Sequence, residues 1–287
     1  MHVDGTSIWL KLECLQPIGS IKIRGAYNAI AQAGAVGSVG TASAGNMAQG
    51  VAWAARDFGL SAVIVVPDHA PQAKLEAIER LGGEVVRVPY DEWWRAIEEA
   101  EHPAVHGTFV HPVQDERVMA GNGTIGLEIL EDLPNVATVV VPYGGGGLVT
   151  GIGSALRQLA PGVRVVAVEP ETGAPLTASL PLGEPQSVGY TPSFVDGSGS
   201  RAVLASMWPR VREVVDEALS VTLEETAEAV RFLAGRARVV AEGAGALAAA
   251  AALSRGVGGD GPTVCIVSGG NIDAARLAEI LAGRIPA

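Results

Sequence analysis

Residues 139–148 read Val139-Val140-Val141-Pro142-Tyr143-Gly144-Gly145-Gly146-Gly147-Leu148, and a helical pattern continues from there to Leu159. Three β-branched residues in a row make a short strand covered on both faces. Four glycines then leave backbone N–H groups bare, and the following helix turns its positive end toward them. Strand, glycines and helix start, in that order, form an anion cradle suited to a phosphate in an α/β protein. A plain tight turn needs fewer glycines. A nucleotide P-loop needs GxxxxGK[ST], and the chain has no Gly-Lys pair. The GxGxxG fingerprint fails too, because the register from Gly145 runs Gly145, Gly147, Thr150. Glu169 ends the next expected strand, where a dinucleotide fold places its ribose-binding acid. A nicotinamide oxidoreductase therefore stays open as an alternative at this point.

Outward from this segment, β-branched runs alternate with longer helical patterns. Strands are expected at Ala62–Val66, Glu84–Val88, Ala137–Val141, Arg164–Glu169 and Thr263–Val267. Helices are expected at Ala26–Ala33, Met47–Phe58, Gln72–Leu81, Glu92–Glu101, Gly121–Leu130, Leu148–Leu159, Leu223–Ala234, Gly243–Ser254 and Asn271–Leu281. The alternation means an α/β fold with parallel sheets. Residues 170–200, rich in Pro, Gly and Ser, are expected to form a functional loop or a cover on the substrate side.

The chain has 287 residues, enough for about two domains. Hydrophobic residues make up 48% and charged residues 18%, which excludes a disordered chain. The net charge of −11 argues against non-specific nucleic-acid binding. Leu133–Leu156 is free of charge, but Pro134, Pro142 and the glycines argue against a membrane span. Cys14 and Cys265 are far apart and form no CxxC pair, so neither a disulfide framework nor a zinc cluster is expected. The start has no basic, apolar leader pattern, and a cytoplasmic location is expected.

Three further segments pair chemistry with small residues. Ser20-Ile21-Lys22-Ile23-Arg24-Gly25-Ala26 sets one of only three lysines between two isoleucines before a helix. A partly buried lysine can form a Schiff base with an aldehyde, though a snorkelling lysine reads the same way. Thr41–Gly50 reads as strand end, small-residue loop and helix start, suited to a carboxylate, or else as a simple cap at Asn46. Ser268-Gly269-Gly270-Asn271 ends a strand and opens the last helix, where α/β proteins bind ligands. Glu242 precedes another helix and could equally be a capping acid.

Taken together, Leu10–Glu13, Gly19–Ala26, Thr41–Gly50, Ala120–Thr124, Pro142–Leu148, Ala241–Ala246 and Ser268–Asn271 resemble, in family order, the fold-type II pyridoxal-phosphate enzymes, specifically the threonine/serine dehydratase and serine racemase family. The resemblance implies a two-domain, tryptophan synthase β-like α/β fold, with a small domain (36–114) inserted in a large one (1–35 and 115–287) and pyridoxal 5′-phosphate between them. It implies Lys22 as the Schiff-base lysine and proton-abstracting amine. Gly144, Gly145, Gly146, Gly147 and Leu148 would hold the phosphate, Asn46 the 3′-oxygen, and Ser268 the pyridine nitrogen, with Glu242 also at the cofactor. Ser43, Ala44, Gly45 and Met47 would line the substrate carboxylate, and Asp196 would face the substrate side chain or else be a solvated loop acid. The implied reaction is β-elimination from a β-hydroxy amino acid such as threonine or serine, giving a 2-oxo acid and ammonia. Racemisation or β-replacement on the same fold is the nearest alternative.

The chain departs from that pattern in places. Met47 stands where the family has histidine, and Ile21 where it has phenylalanine. Ala44 replaces the second serine of the racemases, which ranks elimination above racemisation. The family's metal positions fall on Glu169, Gly173 and Pro175, and proline supplies no carboxylate, so no metal is expected. A homodimer is implied. The chain begins almost at the Leu10–Glu13 strand and stops at Ala287, so no regulatory domain is expected.

Overall fold

The computed structural model describes residues 1–259 and 261–286. In chain order its elements are β1 (Ile8–Leu12), α1 (Lys22–Ala33), β2 (Ser38–Ala42), α2 (Asn46–Asp57), β3 (Ser61–Pro67), α3 (Gln72–Arg80), β4 (Gly83–Val88), α4 (Tyr90–Glu99), β5 (Thr108–Phe109), α5 (Glu116–Asp132) and β6 (Thr138–Pro142). They continue with α6 (Gly147–Leu159), β7 (Arg164–Pro170), α7 (Pro175–Ser179), α8 (Trp208–Val214), β8 (Glu217–Val221), α9 (Leu223–Phe232), α10 (Gly243–Arg255), β9 (Thr263–Val267) and α11 (Ala274–Leu281). The chain divides into two compact units, one of Met1–Ser20 with Gly123–Ala287 and one of Ile21–Asn122. The segment 36–114 lies inside the second.

The first unit holds a parallel sheet in the order β1-β9-β6-β7-β8. β6 and β9 are buried at every position, as their unbroken apolar runs require. α10 is buried from Gly243 to Ala252, and its alanines let a helix pass through the core against β6 and β9. The crossing from β6 to α6 carries the four glycines. Residues 133–156 are thus a buried strand, a loop and part of a helix. No helix among the described residues is long and apolar enough to cross a membrane.

The second unit holds a parallel sheet in the order β4-β3-β2-β5. β2 supplies the strand end read at Thr41, but its full span had no β-branched run to mark it: Ser38-Val39-Gly40-Thr41-Ala42. Its core side chains are small because its neighbours come close: a Cβ on Gly40 would lie 2.7 Å from the Val63 carbonyl oxygen. β1 begins two residues before the strand expected at Leu10–Glu13 and ends at Leu12, while β5 and β8 fall outside the expected strands.

Several expected helix limits are corrected. α5 starts at Glu116, five residues before the expected Gly121. Gly121 is there for packing, since a Cβ on it would lie 2.4 Å from the Arg24 carbonyl oxygen. α11 starts at Ala274 instead of Asn271, because the Asp273 carboxylate accepts from the N–H groups of Ala275 (2.8 Å) and Arg276 (3.2 Å) and so caps it. α4 starts two residues early, at Tyr90. Residues 170–200, read as loop, contain the short helix α7.

Candidate functional site

In the first unit the glycine loop leaves β6 through Tyr143. The Tyr143 N–H donates to the Val168 carbonyl (2.8 Å), continuing the ladder with β7 by one residue. Gly146 has φ +95°, which only glycine takes without strain, and a Cβ there would meet Val211 at 3.0 Å. Gly147 and Leu148 then open α6, a helix of 13 residues. Bare glycine backbone ahead of a helix this long fits a phosphate group.

Within this unit, the segments around Gly197 and Glu242 are linked to this loop by close backbone packing. A Cβ on Gly144 would lie 3.4 Å from the Gly197 carbonyl oxygen and 3.5 Å from Ser198 Cα. A Cβ on Gly197 would in turn lie 3.0 Å from Ala244 Cβ and 3.8 Å from Glu242 Oε1. Glu242 is buried at the N-cap position of α10, but its side chain makes no cap bond, so the capping reading is set aside. Its N–H donates to Gly269 O (3.0 Å). Gly245 packs so closely on Gly269 that a Cβ would lie 2.1 Å from that carbonyl.

Ser268, buried at the end of β9, leads into the same turn. The turn also holds the segment before the lysine: Gly270 N–H donates to Gly19 O (2.9 Å), Asn271 Nδ2 to Ile18 O (2.8 Å), and Ser20 bridges Gly269. Lys22 is two residues further along the chain. Cys14 borders the turn, and burial, with Glu13 and Glu242 nearby, pushes its thiol up to about 11, which leaves it a poor nucleophile.

Asp196 follows the buried Phe194 and Val195. It is exposed, and Arg276 Nη1 of α11 lies 3.8 Å from its carboxylate. Ser198, beside it, was passed over by the sequence reading. It is buried, and its hydroxyl donates to the carbonyl of Tyr143. The signal was present in the unbroken Asp196-Gly197-Ser198 run, but nothing in the sequence tied that run to the glycine loop.

In the second unit Lys22 is the first residue of α1 and half-buried. Asn46 is the first residue of α2, and Gly45, not Asn46, holds the cap position. α1 and α2 pack closely: a Cβ on Gly50 would lie 3.0 Å from the Lys22 carbonyl oxygen. The loop Ser43-Ala44-Gly45 is half-buried and braced by Gly45 N–H donating to Ser43 Oγ (3.2 Å). Met47 is 2% exposed, and its side chain belongs to the core of this unit with Val51 and Ala26.

Glu169 is fully buried, and its oxygens accept from Leu176 N (3.1 Å), Thr177 N (2.7 Å) and Thr177 Oγ1 (2.8 Å). Burial raises its carboxyl above the usual range, against those hydrogen bonds. A buried acid engaged by α7 is not one presented to a ribose.

Residues 2–269 match the family described as pyridoxal-phosphate dependent enzyme. The L-threonine ammonia-lyase of Thermotoga maritima is 44% identical over 98% of this chain and 71% of its own length. Among solved structures, the processed form of threonine deaminase isoform 2 from Solanum lycopersicum superposes with a TM-score of 0.86, at 33% identity over 97% of this chain and 79% of that one. Maize serine racemase superposes with a TM-score of 0.83, at 31% identity over 96% of this chain and 87% of that one. With the two parallel sheets and the glycine cradle already in place, these likenesses set aside the nicotinamide alternative: the chain belongs to the fold-type II pyridoxal-phosphate enzymes, in the threonine/serine dehydratase and serine racemase family.

Proposed function

We propose that L-threonine is the principal substrate of this chain, with Lys22 as its cofactor-binding and proton-abstracting residue. The chain is a pyridoxal-phosphate-dependent ammonia-lyase that removes the α-proton and β-hydroxyl of a β-hydroxy amino acid and yields a 2-oxo acid and ammonia. The cofactor, when bound, supplies an electron sink for the charge left at the α-carbon. The protein binds, orients and moves the proton. Gly144–Gly147 and Leu148 take the phosphate, Asn46 the 3′-oxygen and Ser268 the ring nitrogen, with Glu242 beside the ring. Ser43, Ala44, Gly45 and the start of α2 at Met47 take the substrate carboxylate through backbone N–H groups, and Asp196 stands on the side-chain side.

The observation that carries elimination over racemisation is Ala44. Its methyl group holds no proton to deliver to the opposite face of the α-carbon, where a racemase needs a second acid. The threonine assignment is supported by the 44% identical relative, named for that substrate. A homodimer is proposed on the same family ground. The two cysteines are free and buried, which supports a reducing, cytoplasmic setting. Residues 36–114 are proposed as the inserted small domain.

The test is a panel of β-substituted amino acids assayed for 2-oxo acid, with chiral analysis of the remaining substrate. The reading predicts the highest kcat/KM for L-threonine. Interconversion of serine enantiomers faster than oxo-acid release contradicts it.

A further inference from the structure

We infer that Ser198 is a positioning residue that aims the first N–H of the phosphate cradle. The inference rests on the reading of Gly144–Gly147 as that cradle. Tyr143 is the last residue held by the β6–β7 ladder, through its N–H. Its carbonyl begins the turn out of the sheet, and the group it meets is the buried hydroxyl of Ser198. The peptide between Tyr143 and Gly144 is planar and trans, so its C=O and N–H point in opposite directions. Fixing the Tyr143 carbonyl from one side therefore fixes the Gly144 N–H toward the other.

Gly144 has no side chain to restrain this plane, and glycine rotates more freely than any other residue. The restraint comes from outside the loop. Ser198 Cα stands 3.5 Å from the Cβ position of Gly144, and the Gly197 carbonyl 3.4 Å. Gly197 packs in turn against Ala244, which would lie 3.0 Å from a Cβ built on it, and Arg276 lies 3.8 Å from the Asp196 carboxylate. Ser198 touches neither cofactor nor substrate in this account. It acts through Tyr143.

The distinguishing readout is the preference for phosphorylated over unphosphorylated cofactor. Apoenzyme is titrated separately with pyridoxal 5′-phosphate and with pyridoxal, and the ratio of the two Kd values is taken. Ser198→Ala should shrink that ratio about five- to tenfold, the worth of one aimed hydrogen bond, through weaker binding of the phosphorylated form alone. Ser198→Cys, close in size but a weak donor, should fall between Ala and the unmodified chain. It also decides the matter if the alanine variant does not fold. The ³¹P resonance of bound cofactor should move in both variants. An unchanged ratio in the variants, with a strong phosphate preference in the unmodified chain, overturns the role of Ser198. No phosphate preference in the unmodified chain overturns the cradle reading, and the inference with it.

Discussion

The Glu169 carboxylate accepts two hydrogen bonds from Thr177, one from its backbone N–H at 2.7 Å and one from its hydroxyl at 2.8 Å. With Leu176 N on the other oxygen, at 3.1 Å, the acid anchors the start of α7 to the end of β7. Removing it strands buried donors. Glu169→Ala should lower unfolding stability by about 3 kcal/mol in denaturant titration, and treating the unmodified chain with a chelator should leave its Tm in place. A chelator-induced fall in Tm would mean that these oxygens hold a cation instead.

Tyr143 is 1% exposed, and its hydroxyl has no hydrogen-bond partner among the described residues. Burial, with Glu169 nearby, raises its pKa, so it stays a neutral phenol. Tyr143→Phe deletes an unpaired polar atom and keeps the ring and the backbone carbonyl. Stability should hold or rise by up to about 1 kcal/mol, read as the midpoint of urea unfolding.

Ala100 closes α4 at φ +55°, a left-handed conformation that carries a steric penalty for a side chain. Ala100→Gly should therefore stabilise by about 1 kcal/mol. The same change at a right-handed, mid-helix alanine such as Ala77 should instead destabilise by about the same amount, and differential scanning calorimetry of the two variants gives the comparison.

His111 is buried, and its Nδ1 accepts from the N–H groups of Val113 (3.0 Å) and Gln114 (2.9 Å). Burial holds its pKa below the ordinary histidine value, against the nearby Asp115. The unfolded chain then takes up the proton first. The stability due to neutral His111 is complete above about pH 6.5 and falls away as the pH drops below that toward the folded value. His111→Asn keeps an acceptor and loses the titration, so its stability should fall less than that of the unmodified chain between pH 7.5 and 5.5.

How far the sequence could be read depended on what each residue's burial required. β6 and β9 announce themselves because both faces are covered and, after an opening threonine, each continues as an apolar run. β2 is buried from Val39 to Ala42 but close-packed through Gly40, so its composition mimics a loop. Gly121 resembles a helix start yet serves a close helix approach, and Asp273 outcompetes Asn271 as a cap. The proposed site residues Lys22, the glycine loop and Ser268 stand out in the sequence because their chemistry demands a residue type. The Ser198 contact does not stand out in the sequence, because its partner Tyr143 is more than 50 residues away.

The central claim is that Lys22 binds the cofactor, and the chain offers only three candidates, Lys11, Lys22 and Lys74. Lys11 is already paired with Glu128 (2.5 Å) and Asp132 (3.8 Å). The most direct measurement is borohydride reduction of the holoenzyme, followed by digestion and mass spectrometry of the lysine peptides. A pyridoxyl-phosphate mass increment is expected on Lys22 and none on the other two. The increment on Lys11 or Lys74, or none on any lysine of a cofactor-saturated, active protein, would contradict the claim.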